Sequence, residues 1–257
     1  MSRGLTIDRP VRLRGIGRFS LRPVELLLRP AEPDDGITIN GVPVVAANAV
    51  VYRHTMRVGK VRMVEHLLSA CRGLGISDLA VEVRGEELPF LDGSSLGCVR
   101  ALERAGLKVQ GRAPEALTLR SPVMVLAGTS FIAAVPATGL TLNCLARVPG
   151  RGVQFFSHRA GSAGYRTQVA PARTFGRAAG TPRRVQSSLR LTFGLVREAD
   201  MLYPARSRFA NEPCRHKVLD LLGDLALLGR NLEAEVFAYC PGHRLNLEFV
   251  RSLERST

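Results

Sequence analysis

Two stretches of this sequence carry ionisable side chains on patterns that are otherwise apolar at helical spacing, and each is closed by glycine before a strand. In the first, Met63, Val64, Leu67, Leu68 and Cys71 predict a helix over Arg62–Arg72, ended by Gly73 and Gly75. In the second, Val218, Leu219, Leu222 and Leu225 lie in a helix predicted over Glu212–Leu228. Each apolar stripe has ionisable residues standing beside it. Those residues are Glu65 and His66 in one stretch, and His216, Asp220 and Asp224 in the other. His66-Leu67-Leu68 begins nine residues before Gly75, as Asp220-Leu221-Leu222 does before Gly229, and a strand follows each, Leu79–Val83 and Ala234–Tyr239. Two unrelated amphipathic helices could share this pattern. As a true repeat, it puts His66 and Asp220 at equivalent positions in two similar subdomains, meeting where these pack face to face.

The rest of the chain fits an α+β fold of two such subdomains, each a small β-sheet with helices packed on it and the active site between them. Val11–Gly17, Val24–Pro30 and Gly36–Val42 read as strands before the first helix, and a turn at Leu91-Asp92-Gly93-Ser94 leads into a short helix that stops at Gly106. Lys108–Glu115, with Gly111 and Pro114, has linker composition, which divides the chain into residues 1–110 and 111–257. Strands at Leu117–Leu126, Phe131–Val135 and Leu140–Val148 then restart the order. An irregular, arginine-rich stretch from Gly150 to Asn211 precedes the second long helix, and a last helix starts near Arg244.

Composition narrows the class. At 46% hydrophobic residues over 257 positions a substantial core can form. The sequence carries no apolar run of signal-peptide or membrane-spanning length, so a soluble, cytoplasmic monomer is expected. Five scattered cysteines without a C-x-x-C pair fit buried thiols in a reducing compartment. The formal charge of +14 suggests nucleic acid, but only Lys60, Lys108 and Lys217 among the 36 basic residues are lysine, and the arginines are spread rather than clustered. No nucleic-acid partner is expected. An anionic substrate or a peripheral contact with an acidic membrane surface would use the same charge.

On a helix advancing about 100° per residue, His216, Asp220 and Asp224 form one polar stripe. An imidazole and a carboxylate one turn apart can share a metal, but taken alone this stripe reads first as a solvated face on which His216 pairs with Asp220. Glu65-His66 adds to the metal reading: His66 offers a third ligand, and Glu65 a general base for water. His243 stands at a strand-to-helix junction. Arg173-Thr174-Phe175, taken alone, reads as loop.

Together the segments resemble the UDP-3-O-acyl-N-acetylglucosamine deacetylase family, the zinc deacetylases of lipid A biosynthesis. The resemblance is carried by Val64-Glu65-His66-Leu67-Leu68-Ser69-Ala70 with Gly73-Leu74-Gly75-Ile76, by Leu91-Asp92-Gly93-Ser94-Ser95, and by Ala172-Arg173-Thr174-Phe175-Gly176. Arg215-His216-Lys217-Val218-Leu219-Asp220 with Gly223-Asp224, and Gly242-His243 with Leu245-Asn246, complete it in order. It implies that His66, His216 and Asp220 hold Zn2+, that Glu65 activates water, and that Thr174 helps to hold the oxyanion. It further implies that His243, oriented by Asp224, stabilises that charge and protonates the amine, and that Lys217 and Phe175 bind a UDP-linked acylated N-acetylglucosamine. Acetate would be released.

The departures from the family pattern fall in three places. Gly15-Ile16-Gly17-Arg18-Phe19 lacks the histidine expected at its end, Met63 replaces a threonine, and the passage for the acyl chain would be built from the arginine-rich Arg177–Arg208. A diverged paralogue acting on another N-acetylated sugar or nucleotide sugar is one alternative. A basic nucleic-acid-binding module with relict motifs is another.

Overall fold

The computed structural model describes residues 3–179, 183, 185–186 and 194–256. It is an α+β structure in which one arrangement occurs twice. In the first half, β1 (Arg3–Ile7), β2 (Val11–Ile16), β3 (Pro23–Arg29), β4 (Ile37–Ile39) and β5 (Val42–Pro43) are followed by a hairpin region and α1 (Glu65–Leu74). The hairpin region comprises β6 (Ala49–Tyr52), β7 (Thr55–Val58) and β8 (Val61–Arg62), which form their own three-stranded sheet. Then come β9 (Leu79–Arg84), α2 (Leu96–Arg104) and β10 (Leu107–Arg112). The main sheet runs β2-β3-β9-β4-β5, antiparallel throughout except for the parallel pair β4/β9.

The second half contains β11 (Leu117–Thr118), β12 (Val123–Ala127), β13 (Ser130–Pro136), β14 (Leu140–Val148) and β15 (Gly152–Arg159). These are followed by β16 (Gly176–Arg177), β17 (Leu195–Glu198) and β18 (Met201–Pro204), which form a separate small sheet. Last come α3 (Glu212–Asp224), β19 (Leu232–Tyr239) and α4 (His243–Arg255). Its main sheet runs β12-β13-β19-β14-β15, again with a single parallel pair on this path, β14/β19. The strand after the ionisable helix is therefore central in both sheets, flanked by an antiparallel partner on one side and a parallel one on the other. The repeat extends to the helix ends, where Gly75 and Gly229 take left-handed conformations at φ 76° and 65°.

α1 and α3 pack on each other, and the buried core is continuous through both halves. Their approach depends on Gly223: a Cβ there would lie 2.2 Å from the Glu65 carbonyl oxygen. Gly73 serves a similar purpose inside α1, where a Cβ would fall 2.2 Å from the Tyr165 ring, whose hydroxyl donates to Ser69 Oγ at 3.0 Å.

Several boundaries differ from those expected. The first helix starts at Glu65 rather than Arg62, because Arg62 belongs to a hairpin strand and Met63 adopts φ 62°, outside the helical region. Gly73 lies within that helix rather than ending it. The α-helical part of the second long helix stops at Asp224, with a 3-10 turn to Leu228. The strand expected over Leu117–Leu126 is two strands, separated around Pro122, which has no N–H to give a ladder. Lys108–Glu115 is not simply a linker: β10 pairs antiparallel with β1, a strand the sequence pattern did not suggest, and residue 110 lies inside it. Of Arg177–Arg208, residues 180–182, 184 and 187–193 lie outside the described residues. Among the described residues no helix is long and apolar enough to cross a membrane.

Gly223→Ala should therefore destabilise the protein by about 3 kcal/mol or prevent folding, since backbone rather than a flexible side chain opposes the added methyl. Gly161→Ala, where a Cβ meets nothing within 4 Å, should leave the thermal midpoint nearly unchanged. Equal midpoints for the two variants would refute the close-approach account.

Candidate active site

The helix contact brings the two polar stripes together. Glu65 and His66 occupy the first turn of α1, and both are buried. His216, Asp220 and Asp224 lie along the buried face of α3. His66 Nε2 is 4.0 Å from Asp220 Oδ1, and His216 Nε2 is 3.3 Å from the same oxygen. The two imidazoles meet edge to face with centroids 5.1 Å apart. One ligand atom from each of His66, His216 and Asp220 lies within 4.8 Å of the others. The solvated-face reading of α3 is thereby excluded: His216 does pair with Asp220, but in the interior.

The local chemistry suits a metal. His216 Nδ1 faces the Ala172 carbonyl at 3.0 Å, so it carries the proton and leaves the Nε2 lone pair towards the cluster. Burial and the neighbouring His216 push His66 down to about 3, and burial lowers His216 as well, which keeps both rings neutral. Burial alone would raise Asp220, but His216, His243 and Lys217 outweigh it and hold the carboxyl below its ordinary value. Two neutral imidazoles and one carboxylate form a nitrogen and oxygen donor set of the kind that zinc accepts with an open position.

A second chain of groups runs beside the first. Asp224 Oδ2 is 2.7 Å from His243 Nδ1 and accepts from Asn246 Nδ2 at 2.8 Å. His243 Nε2 then reaches Glu65 Oε1 at 3.7 Å, and Glu65 Oε2 accepts the Met56 N–H at 3.1 Å. Burial opposes a charge on His243, but Asp224 by charge and hydrogen bond, with Asp220 and Glu65, outweighs it and lifts the imidazole to about 10. Burial raises Glu65 to about 7 against the pull of His243. One cavity thus holds neutral histidines at the cluster, a charged histidine opposite them, and a carboxyl between that can take and return a proton near neutrality.

Thr174 and Phe175 reach this cavity on a segment that is firmly held. Thr174 N–H donates to the Gly93 carbonyl at 2.8 Å, which joins the segment to the Asp92-Gly93-Ser94 turn. Glu212, buried in the first turn of α3, accepts from Arg173 N–H at 3.0 Å and Nε at 2.9 Å. The same glutamate thereby fixes the Ala172 carbonyl that orients His216. The Phe175 ring packs on Tyr203 and stands edge-on to His216, with Lys217 Nζ 5.6 Å from its centroid.

Glu65, His66, Thr174, Phe175, His216, Lys217, Asp220 and His243 all line one cavity of about 650 Å³, while Asp224 stands behind His243. Arg18, Arg53, Arg177 and Arg244 line it too, and sequence reasoning did not single them out as site residues. Arg18 sits over the Phe19 and Phe90 rings with its Nε buried and without a hydrogen-bond partner. Its only signal was its place in the aberrant Gly15–Phe19 motif, where Phe19 N–H now donates to Glu87. Glu212 was also missed; the Glu212-Pro213 helix start marks its position but not its partner. Met63 lines the cavity at the position where a threonine was expected.

Comparison with known proteins finds relatives across nearly the whole chain. The family model described as UDP-3-O-acyl N-acetylglycosamine deacetylase matches residues 5–255. A protein of Syntrophotalea carbinolica named UDP-3-O-acyl-N-acetylglucosamine deacetylase is 32% identical, over 96% of this chain and 86% of its own. Proteins of the same name from Thermosynechococcus vestitus and Myxococcus xanthus are 35% and 32% identical, covering 93% and 96% of this chain and 90% and 85% of theirs. With a family match across nearly its whole length, the chain belongs to the UDP-3-O-acyl N-acetylglycosamine deacetylase family.

Proposed function

We propose that the protein hydrolyses the N-acetyl group of UDP-3-O-acyl-N-acetylglucosamine, releases acetate, and serves lipid A biosynthesis with Zn2+ as its cofactor. The observation that carries this reading is the convergence of His66, His216 and Asp220 with Glu65 and the His243–Asp224 pair in one cavity. His66, His216 and Asp220 would hold the ion. When bound, zinc supplies Lewis-acid polarisation of a carbonyl and makes water more acidic.

The protein's own residues account for the remaining needs of amide hydrolysis. Glu65 takes a proton from water as its oxygen bonds to the acetamide carbon. The carbonyl oxygen gains negative charge, which the Thr174 hydroxyl and charged His243 stabilise. His243 gives its proton to the departing nitrogen as the C–N bond breaks, leaving acetic acid and a free amine. The acid ionises to acetate, and the proton on Glu65 passes to His243, whose Nε2 lies 3.7 Å from Glu65 Oε1, so that both groups are restored. Asp224 acts through His243, holding the ring by its Nδ1 and favouring the charged form before the reaction. Lys217 and Phe175 offer a cation and an apolar plane to the nucleotide sugar, and the arginines around the cavity suit a diphosphate. The cations gathered around the cavity that holds the catalytic groups support a nucleotide-sugar reading over a nucleic-acid one, and a cytoplasmic location is part of the proposal.

Glu65→Gln should retain zinc and lose about 10²- to 10⁴-fold in kcat, the usual span for a missing general base; full activity with bound zinc would overturn the assignment. His66→Ala should lose stoichiometric zinc, measured by elemental analysis after dialysis. For His243 the charged form is active, so kcat/KM should fall as pH rises through about 10. Asp224→Asn removes the charge that raises this pKa, so the alkaline limb should move to lower pH; an unmoved limb would remove His243 as its source. Assays with acylated and non-acylated UDP-N-acetylglucosamine test the substrate, and activity confined to the non-acylated sugar would favour the paralogue that Phe19 and Met63 suggest.

A further inference from the structure

The outward faces of the two matching sheets differ sharply. On the first, Arg12 and Arg14 pair with Glu25, and Arg29 pairs with Glu82, so charge covers the strands. On the second, one cross-strand row reads Leu126, Phe131, Tyr239, Leu145 and Phe155, from β12 through β13, β19 and β14 to β15. Met124 and Phe237 belong to the next row. Exposures of 63% for Leu126, 55% for Phe155, 54% for Met124 and 41% for Phe237 show that no other part of the described chain covers them. Scattered exposed apolar residues need no explanation, but a contiguous patch on one face does.

The patch also has a direction. Along β19 the outward residues run Glu233, Glu235, Phe237, Tyr239, and along β14 they run Thr141, Asn143, Leu145, Arg147. Glu235 is engaged by Asn143 at 3.0 Å, at the polar end of the face. The apolar end lies against the catalytic cavity, since Ala127, Ser130 and Cys240, which adjoin Leu126, Phe131 and Tyr239 in the chain, line that cavity. Exposed Arg147 borders the row, and exposed Arg53 and Arg244 stand at the cavity.

We propose that this apolar corner of the second sheet, with its arginine rim, docks on the surface of an anionic lipid bilayer and sets the cavity beside it. Charge selects this occupant. A second copy would bring another +14 chain against the first, whereas an acidic leaflet attracts both the chain as a whole and the rim. The apolar row supplies what charge alone lacks, side chains that enter the boundary between headgroups and acyl chains. This inference does not rest on the metal or on the substrate assignment.

The test is cosedimentation of the full chain with vesicles of phosphatidylcholine alone or phosphatidylcholine with phosphatidylglycerol. The protein should bind the anionic vesicles, more weakly as salt rises, and leave the neutral ones largely free. Leu126→Ser, Phe155→Ser and Phe237→Ser together should lower partitioning by about tenfold or more, because interfacial binding scales with the apolar area inserted. Circular dichroism and thermal melting of this outward-facing variant establish that it is folded. Unchanged vesicle binding by the folded variant would overturn the proposal, as would a native protein that ignores anionic vesicles. A native dimer made monomeric by the same substitutions, without lipid binding, would assign the face to a second copy instead.

Discussion

The site depends on how closely two helices can approach. Gly223 lets the backbone of α3 rest against the Glu65 carbonyl, and that contact lies among the catalytic candidates themselves. With α1 and α3 at this separation, the three ligand atoms come within reach of one ion and Glu65 comes within reach of His243. A methyl group at 223 would act on all of these distances together. The site is thus a property of the interface between two halves, and neither half contains a complete set of groups. The buried Arg173–Glu212 pair has a similar reach on one side, since it fixes both the carbonyl behind His216 and the segment carrying Thr174.

Electrostatics then assigns different states to residues of the same type. His66, His216 and His243 are all enclosed, and enclosure by itself favours the neutral ring for each. Only His243 has a carboxylate bonded to its far nitrogen, and it alone is lifted above its ordinary value. His216 meets a backbone carbonyl instead, which selects a tautomer without favouring a charge as strongly. Between His216 and His243 the difference therefore lies in the atom behind the ring.

Much of this was legible in the sequence where local periodicity and function coincide. The polar stripe on α3, the Glu65-His66 pair and the Gly75 and Gly229 stops all survive in the structure; helical spacing lines up His216, Asp220 and Asp224 on one side of α3, while the packing of α1 on α3 decides that this side is buried. Thr174 was legible only through family resemblance; its position rests on hydrogen bonds to Gly93 and on Glu212, which are remote in sequence. β1 and β10 were illegible for a related reason. β10 is exposed along most of its length, so it lacks an alternating pattern, and its pairing is decided by a partner about a hundred residues away. Arg18 was noticed as a departure, but its direction into the cavity comes from the packing of Phe19 and Phe90.

The β1–β10 ribbon has a topological consequence. Arg3 and Arg112 are partners in its register, so the first half begins and ends at the same corner. A unit with adjacent ends is a closed circuit that can be joined to its like by a very short bridge, here the few residues between Arg112 and Leu117. The chain can thus close its first circuit before the second half begins, and the surface where the halves meet is left to the facing helices.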